Sequence, residues 1–230
     1  MMKQLSLVFL SVLGAAAVVP ASANAASLAP ESYADTVISY DKGDNHVSAF
    51  GNPETALGAA DWTSDMVSGG TLGAWKNDIG VSLGKEGSLI LGFTDNYLTG
   101  SGNADSDLWI YEIGRVAEDV LVDISIDGDT WYTAGVADKQ DFAVETGIGI
   151  DIDGLLSEHA DLSLDSMFSF VRLTDNGTNK YGNSKSGADI DAVAALSSVA
   201  KSDVVDVPEP GMAAALGVIA FGAFIKRKQR

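Results

Sequence analysis

The central part of the chain is a series of short apolar or alternating runs, each closed off by Gly, Asn, Asp or Ser, and this punctuation leaves little room for long helices. Candidate strands cover residues 36–40, 47–50, 81–83, 88–94, 108–113, 120–126, 131–135, 168–173 and 190–196. Their spacing points to an all-β sandwich or barrel. In the run Asp123-Ile124-Ser125-Ile126-Asp127 polar and apolar residues alternate, which puts Val122, Ile124 and Ile126 on one face of a half-buried strand. Asp127-Gly128-Asp129 then offers the positive φ of a tight turn into Thr130-Trp131-Tyr132. Residues 155–164 allow a helical turn, and 197–206 read as a short, polar, flexible linker.

The two ends have a different character. Lys3 precedes an apolar run over 5–19, and small residues follow from Pro20 to Ala25. That order is the layout of a secretory signal over residues 1–25, with Ala23 and Ala25 forming a cleavage site for a signal peptidase before Ala26, and Ala21 with Ala23 offering a second one. The apolar run falls short of the roughly 20 residues that span a bilayer. At the other end, Val207-Pro208-Glu209-Pro210 leads into an apolar stretch over 211–225 and then Lys226-Arg227-Lys228-Gln229-Arg230. A helix over that stretch reaches only about 22 Å at 1.5 Å per residue, so it crosses a ~30 Å hydrocarbon core poorly. The basic cluster would stay on the cytoplasmic side. The tail reads as a transient membrane handle.

In that order, the Val-Pro-Glu-Pro motif, the Gly- and Ala-rich apolar helix and the terminal basic cluster resemble a PEP-CTERM sorting domain over 207–230. The resemblance implies an exosortase in the inner membrane of a Gram-negative bacterium, cleavage near the motif, and release or attachment at the cell surface or extracellular matrix, often with exopolysaccharide production. It implies a route and not an activity.

The region over 26–196, read as one β-sandwich domain, resembles a second group. Its landmarks are Pro53-Glu54-Thr55-Ala56-Leu57-Gly58, Val81-Ser82-Leu83-Gly84, Gly87-Ser88-Leu89-Ile90-Leu91-Gly92-Phe93, Asp107-Leu108-Trp109-Ile110-Tyr111-Glu112, Ser125-Ile126-Asp127-Gly128 with Trp131, and Asp189-Ile190-Asp191-Ala192-Val193. This series is similar to bacterial cell-surface domains of the discoidin class, and the likeness implies a galactose-binding-like jelly roll used for carbohydrate or surface binding. Fold analogy assigns no ligand.

Between the two end segments the chain carries nine basic and 31 acidic residues, a net charge of −22. Nucleic acid and anionic membrane surface are repelled by such a chain, whereas divalent cations are attracted. With no cysteine, disulfides and thiol chemistry are excluded. Acidic residues gather at Asp105, Asp107, Glu112, Asp175, Asp189 and Asp191, in Gly-, Asn- and Ser-rich surroundings such as Asn103-Ala104-Asp105-Ser106-Asp107 and Asp175-Asn176-Gly177. Calcium takes roughly six to eight oxygens at about 2.3–2.6 Å, and such loops can supply them. The set is a candidate for structural calcium, assembled from separate loops because no run matches the EF-hand pattern. The alternative is a solvated acidic surface with Asp residues capping turns.

Strand alternation puts Asp189 and Asp191 on one face, with Ile190 and Ala192 on the other. Glu112 shares a face with Leu108 and Ile110, and Arg172 or Arg115 can pair with it in place of a metal. Among so many acids, carboxylate pairs at glycosidase spacing arise by chance, so a carbohydrate-active hydrolase is only an alternative. His46 and His159 are too isolated for a triad or a zinc site. Trp62 and Trp75, in loop-like sequence, are candidates for stacking on sugar rings, while Trp109 and Trp131 read as core. The expectation is a non-catalytic, exported glycan- or surface-binding module. Its alternatives are a purely structural matrix component and a hydrolase.

Overall fold

In the computed structural model, residues 32–62, 79–113, 118–137, 147–177 and 187–204 are described. They form strands β1 (Thr36–Asp41), β2 (Val81–Ser82), β3 (Ser88–Gly92), β4 (Asn96–Leu98), β5 (Leu108–Glu112), β6 (Val120–Ser125), β7 (Tyr132–Ala137), β8 (Ile148–Ile150), β9 (Phe170–Asp175), β10 (Asp189–Ala195) and β11 (Ser198–Ala200), with one short helix, α1 (Asp153–Glu158). All pairings are antiparallel. One sheet has the order β1-β3-β9-β6-β7, a second β2-β10-β5-β8, and β11 pairs with β4. Both larger sheets contribute to a single apolar cluster: Leu89, Leu91, Val122, Ile124, Val171 and Leu173 from the first, Val81, Leu108, Ile110, Ile148, Ile190 and Val193 from the second. The chain is therefore all-β and sandwich-like. Among the described residues no helix is long and apolar enough to cross a membrane.

Alternation decides most strand faces. On β9 Val171 and Leu173 point inward while Phe170, Arg172 and Thr174 are half-buried, and β5 buries Leu108, Ile110 and Glu112 on one face. On β10 alternation breaks. Its register against β5 shifts between Ile190 and Ala192. An irregularity of this kind inserts one extra residue, so the faces swap across it. Ile190 and Val193 join the main core, while Ala192 and Ala194 pack with Tyr33 in a second cluster. Ile190 and Ala192 thus lie on opposite sides, not on the shared face that simple alternation predicts.

Other departures follow from length and neighbours. Residues 47–50 are not a strand: Ser48–Phe50 make a 3-10 turn that buries Phe50 beside Trp62, Ile79 and Ile113. The three-residue strands β4, β8 and β11 were not anticipated. β11 and a 3-10 turn over Lys201–Asp203 occupy the stretch read as a flexible linker, and Lys201 donates to the Phe93 carbonyl at 2.6 Å. On β6, Asp123 and Ser125 are buried along with Val122 and Ile124, and Ile126 is exposed, so this strand is covered on both faces. The turn after it contains Gly128 at φ 83°, and the Asp127 carboxylate accepts from the amides of Asp129 and Thr130. The helical turn expected over 155–164 begins earlier, as α1.

Candidate functional site

Asp107 stands just before β5 and Asp151 just after β8. The antiparallel register pairs Leu108 with Ile150, so one step beyond the ladder Asp107 and Asp151 come opposite each other. The Asp107 amide donates to the Ile150 carbonyl at 2.9 Å, and its Oδ2 accepts from the Ile152 amide at 3.0 Å. Its backbone carbonyl accepts from the amides of Leu196 at 2.7 Å and Ser197 at 3.2 Å. One residue therefore joins the β4–β5 loop, the β8–α1 connection and the β10–β11 turn. Asp153 opens α1, and its amide donates to Asp151 Oδ1 at 2.9 Å.

One oxygen from each of Asp107, Asp151 and Asp153 lies within 4.8 Å of the others. Asp107 is 0% exposed, and its Oδ1 has no hydrogen-bond partner. Both carboxylate oxygens of Asp153 are buried and equally unpartnered, while Asp151 is exposed and opens the cluster to solvent. Gly100 packs directly on this group. A Cβ at that position would fall 2.2 Å from Asp153 Oδ1. Burial pushes the Asp107 carboxyl up from its ordinary range, the Ile152 amide opposes that, and the neighbouring Asp153 charge adds to it. Ser101 sits beside the carboxylate and favours its charged form without a hydrogen bond of ordinary geometry. Among the described residues the one Arg or Lys ion pair is Arg172 with Asp123, so no basic side chain neutralises the three.

Of the six acids singled out in the sequence, only Asp107 belongs to this group. Asp105 is exposed, its amide bonded to Asn103 Oδ1. Asp175 ends β9 and accepts from three amides, those of Glu86 (3.1 Å), Gly177 (2.9 Å) and Ala188 (3.1 Å). Glu112, buried on the face predicted for it, accepts from the Glu118 amide with both oxygens and from the Asp189 amide at 3.4 Å. Its carboxyl is raised well above the usual range by burial first and by the Asp189 and Glu118 charges. Arg172 is paired with Asp123 and not with Glu112, and Arg115 lies outside the described residues.

The two acids of β10 serve different loops. Asp189, half-buried, is pushed up to about 6 by burial, with Asp175 contributing, and its Oδ1 is buried without a partner. Asp191 accepts from the amides of Asp61 (3.3 Å) and Trp62 (3.2 Å), and burial raises its carboxyl. Three of these acids, Asp175, Glu112 and Asp191, thus fasten loops through backbone amides.

Trp62 is 5% exposed and packs against Phe50, Ile79 and Ile113, so its ring offers no face to a sugar. Trp109 and Trp131 are half-buried and not core; the Arg172 guanidinium lies 4.5 Å from the centre of the Trp131 ring. Trp75, the cleavage residues Ala23 and Ala25, and the motif Val207-Pro208-Glu209-Pro210 lie outside the described residues. Sequence reasoning missed Asp151 and Asp153. The available signal was Asp151-Ile152-Asp153-Gly154, two carboxylates one residue apart followed by a glycine.

No protein-family model matches this chain, and the search of curated proteins returns no match.

Proposed function

We propose that the chain is an exported, non-catalytic module of the bacterial cell surface or extracellular matrix, which binds glycan or similar surface material and uses calcium as a structural aid. Signal peptidase and an exosortase process the two ends, and the inner membrane holds the tail only in passing. The domain between is a jelly-roll sandwich of the galactose-binding-like kind, a reading supported by two antiparallel sheets around one apolar cluster.

The observation that carries the non-catalytic reading is the use made of the buried carboxylates. Asp175, Asp191 and Glu112 each accept from two or more backbone amides of neighbouring loops, an arrangement that fixes loop geometry and leaves few lone pairs for a substrate. A glycan array probed with the full chain, with calcium and with chelator, tests the ligand. Binding to an extracellular polysaccharide that weakens in chelator is the expected result. No binding under either condition would leave a purely structural matrix component. Sugar release abolished by a single carboxylate substitution would establish a hydrolase instead.

A further inference from the structure

We propose that Asp107, Asp151 and Asp153 form the binding site of one calcium ion, which locks the loop over 99–106 and the β8–α1 connection onto the β10–β11 turn. The acidic cluster alone would not carry this. The second observation is that Asp107 is wholly buried with Oδ1 unpartnered, and both oxygens of Asp153 are buried and bare, in a group where one oxygen of each of the three carboxylates lies within 4.8 Å of the others. Buried carboxylate oxygens ordinarily find donors, and leaving them bare is costly. The donors nearby do not satisfy them: the Ile152 amide takes Asp107 Oδ2, the Asp153 amide takes Asp151, and Ser101 sits beside Asp107 without a hydrogen bond of ordinary geometry to Oδ1. Three carboxylates converge without a basic partner among the described residues. A cation is the group that satisfies all of them at once.

The donor set selects the ion. All three side chains offer hard oxygens, with no His in the group and no Cys in the chain, which disfavours zinc and copper. Exposed Asp151 admits the water that completes a calcium shell, and a shell of mixed carboxylate and water suits calcium's tolerant geometry better than the strict octahedron of magnesium. Gly100 leaves room for this group, since a side chain there would push on Asp153 Oδ1 and Leu156.

This inference rests on the calcium part of the proposed function and is independent of the glycan. The test is calorimetric titration of the full chain with calcium in metal-free buffer near neutral pH, together with melting curves in calcium and in chelator. One ion per chain and a higher melting temperature in calcium are expected. Asp153→Asn should weaken calcium binding by about tenfold or more, since charge count sets affinity at such sites. Its melting temperature in chelator should stay at or above that of the unaltered chain, because one repelling charge is gone. Asp151→Asn, at an exposed position, repeats the comparison should Asp153→Asn fold poorly. Asp191→Asn should bind calcium as the unaltered chain does. Absence of both heat and melting shift would overturn the proposal, as would undiminished affinity in both Asp151→Asn and Asp153→Asn. Calcium binding without any glycan on the array would remove the ligand reading and leave the cation site standing.

Discussion

Asp123 is buried in β6, where Arg172 of β9 donates to its Oδ2 from Nε at 3.0 Å and Nη2 at 2.8 Å, and the Thr133 hydroxyl of β7 donates to Oδ1 at 2.7 Å. The register that pairs Asp123 with both Arg172 and Thr133 makes this a three-strand clasp. Breaking it from one side leaves a buried charge unpaired, which is worse than having no pair. Because the Arg172 side chain is about one-third exposed, Arg172→Ala should lower stability by about 2 kcal/mol, below the range for fully buried pairs. Adding Asp123→Ala should restore part of that loss. Urea denaturation of the single and double variants measures the coupling, and strict additivity would refute it. At this scale the sequence was a partial guide. It marked Asp105, Asp107, Glu112, Asp175, Asp189 and Asp191 as candidate calcium ligands, but which atoms they meet depends on contacts remote in sequence. Asp151 and Asp107 are neighbours only because β8 lies on β5, and β8 is too short to reveal itself by alternation.

Longer strands were legible because they have enough residues to show a period. β3, β5, β6 and β9 fall within two residues of their expected limits, since each places at least two of Val, Ile or Leu inward at alternate positions. Three-residue strands carry no such signal. β4 and β11 exist because they pair with each other, Ser198 opposite Leu98 and Ala200 opposite Asn96. Residues 47–50 failed in the opposite sense: an apolar run that serves as a plug for the Trp62 cluster looks like a strand in one dimension. The pairing of β11 has a direct consequence. A chain ending after residue 196 loses the partner of β4, the Lys201 bond to Phe93 and the Ser197 contacts with Thr99. It should melt measurably lower than a chain ending after residue 204. Equal melting temperatures would mean that the segment behaves as the flexible linker its composition implies.

For the molecule as a whole, the carboxylates of the interior set the response to pH. Burial raises the carboxyls of Asp107, Glu112, Asp189 and Asp191, with Asp189 near 6 against an ordinary value of 3.8. Between those values the folded chain holds more protons than the unfolded one, so stability rises as pH falls through this window and is lost as pH climbs past it. Exposed Asp127 and Asp161, lowered by their hydrogen bonds, act in the opposite sense but only below 3.8. In chelator, the melting temperature should therefore increase from pH 8 to pH 5, and a flat or reversed profile would contradict the burial of these groups. The surplus of negative charge, −18 over the entire chain, works in the same direction. Sheet order has a further consequence, for the timing of folding. The middle strand of the five-stranded sheet is β9, and β10 is an inner strand of the other. Both come from the last third of the sequence, so β3 and β6 have no shared partner until Phe170–Asp175 is free to join, and β2 and β5 none until Asp189–Ala195 is. A polypeptide wired in this way completes its sheets only late in its synthesis, once both of these strands have been made.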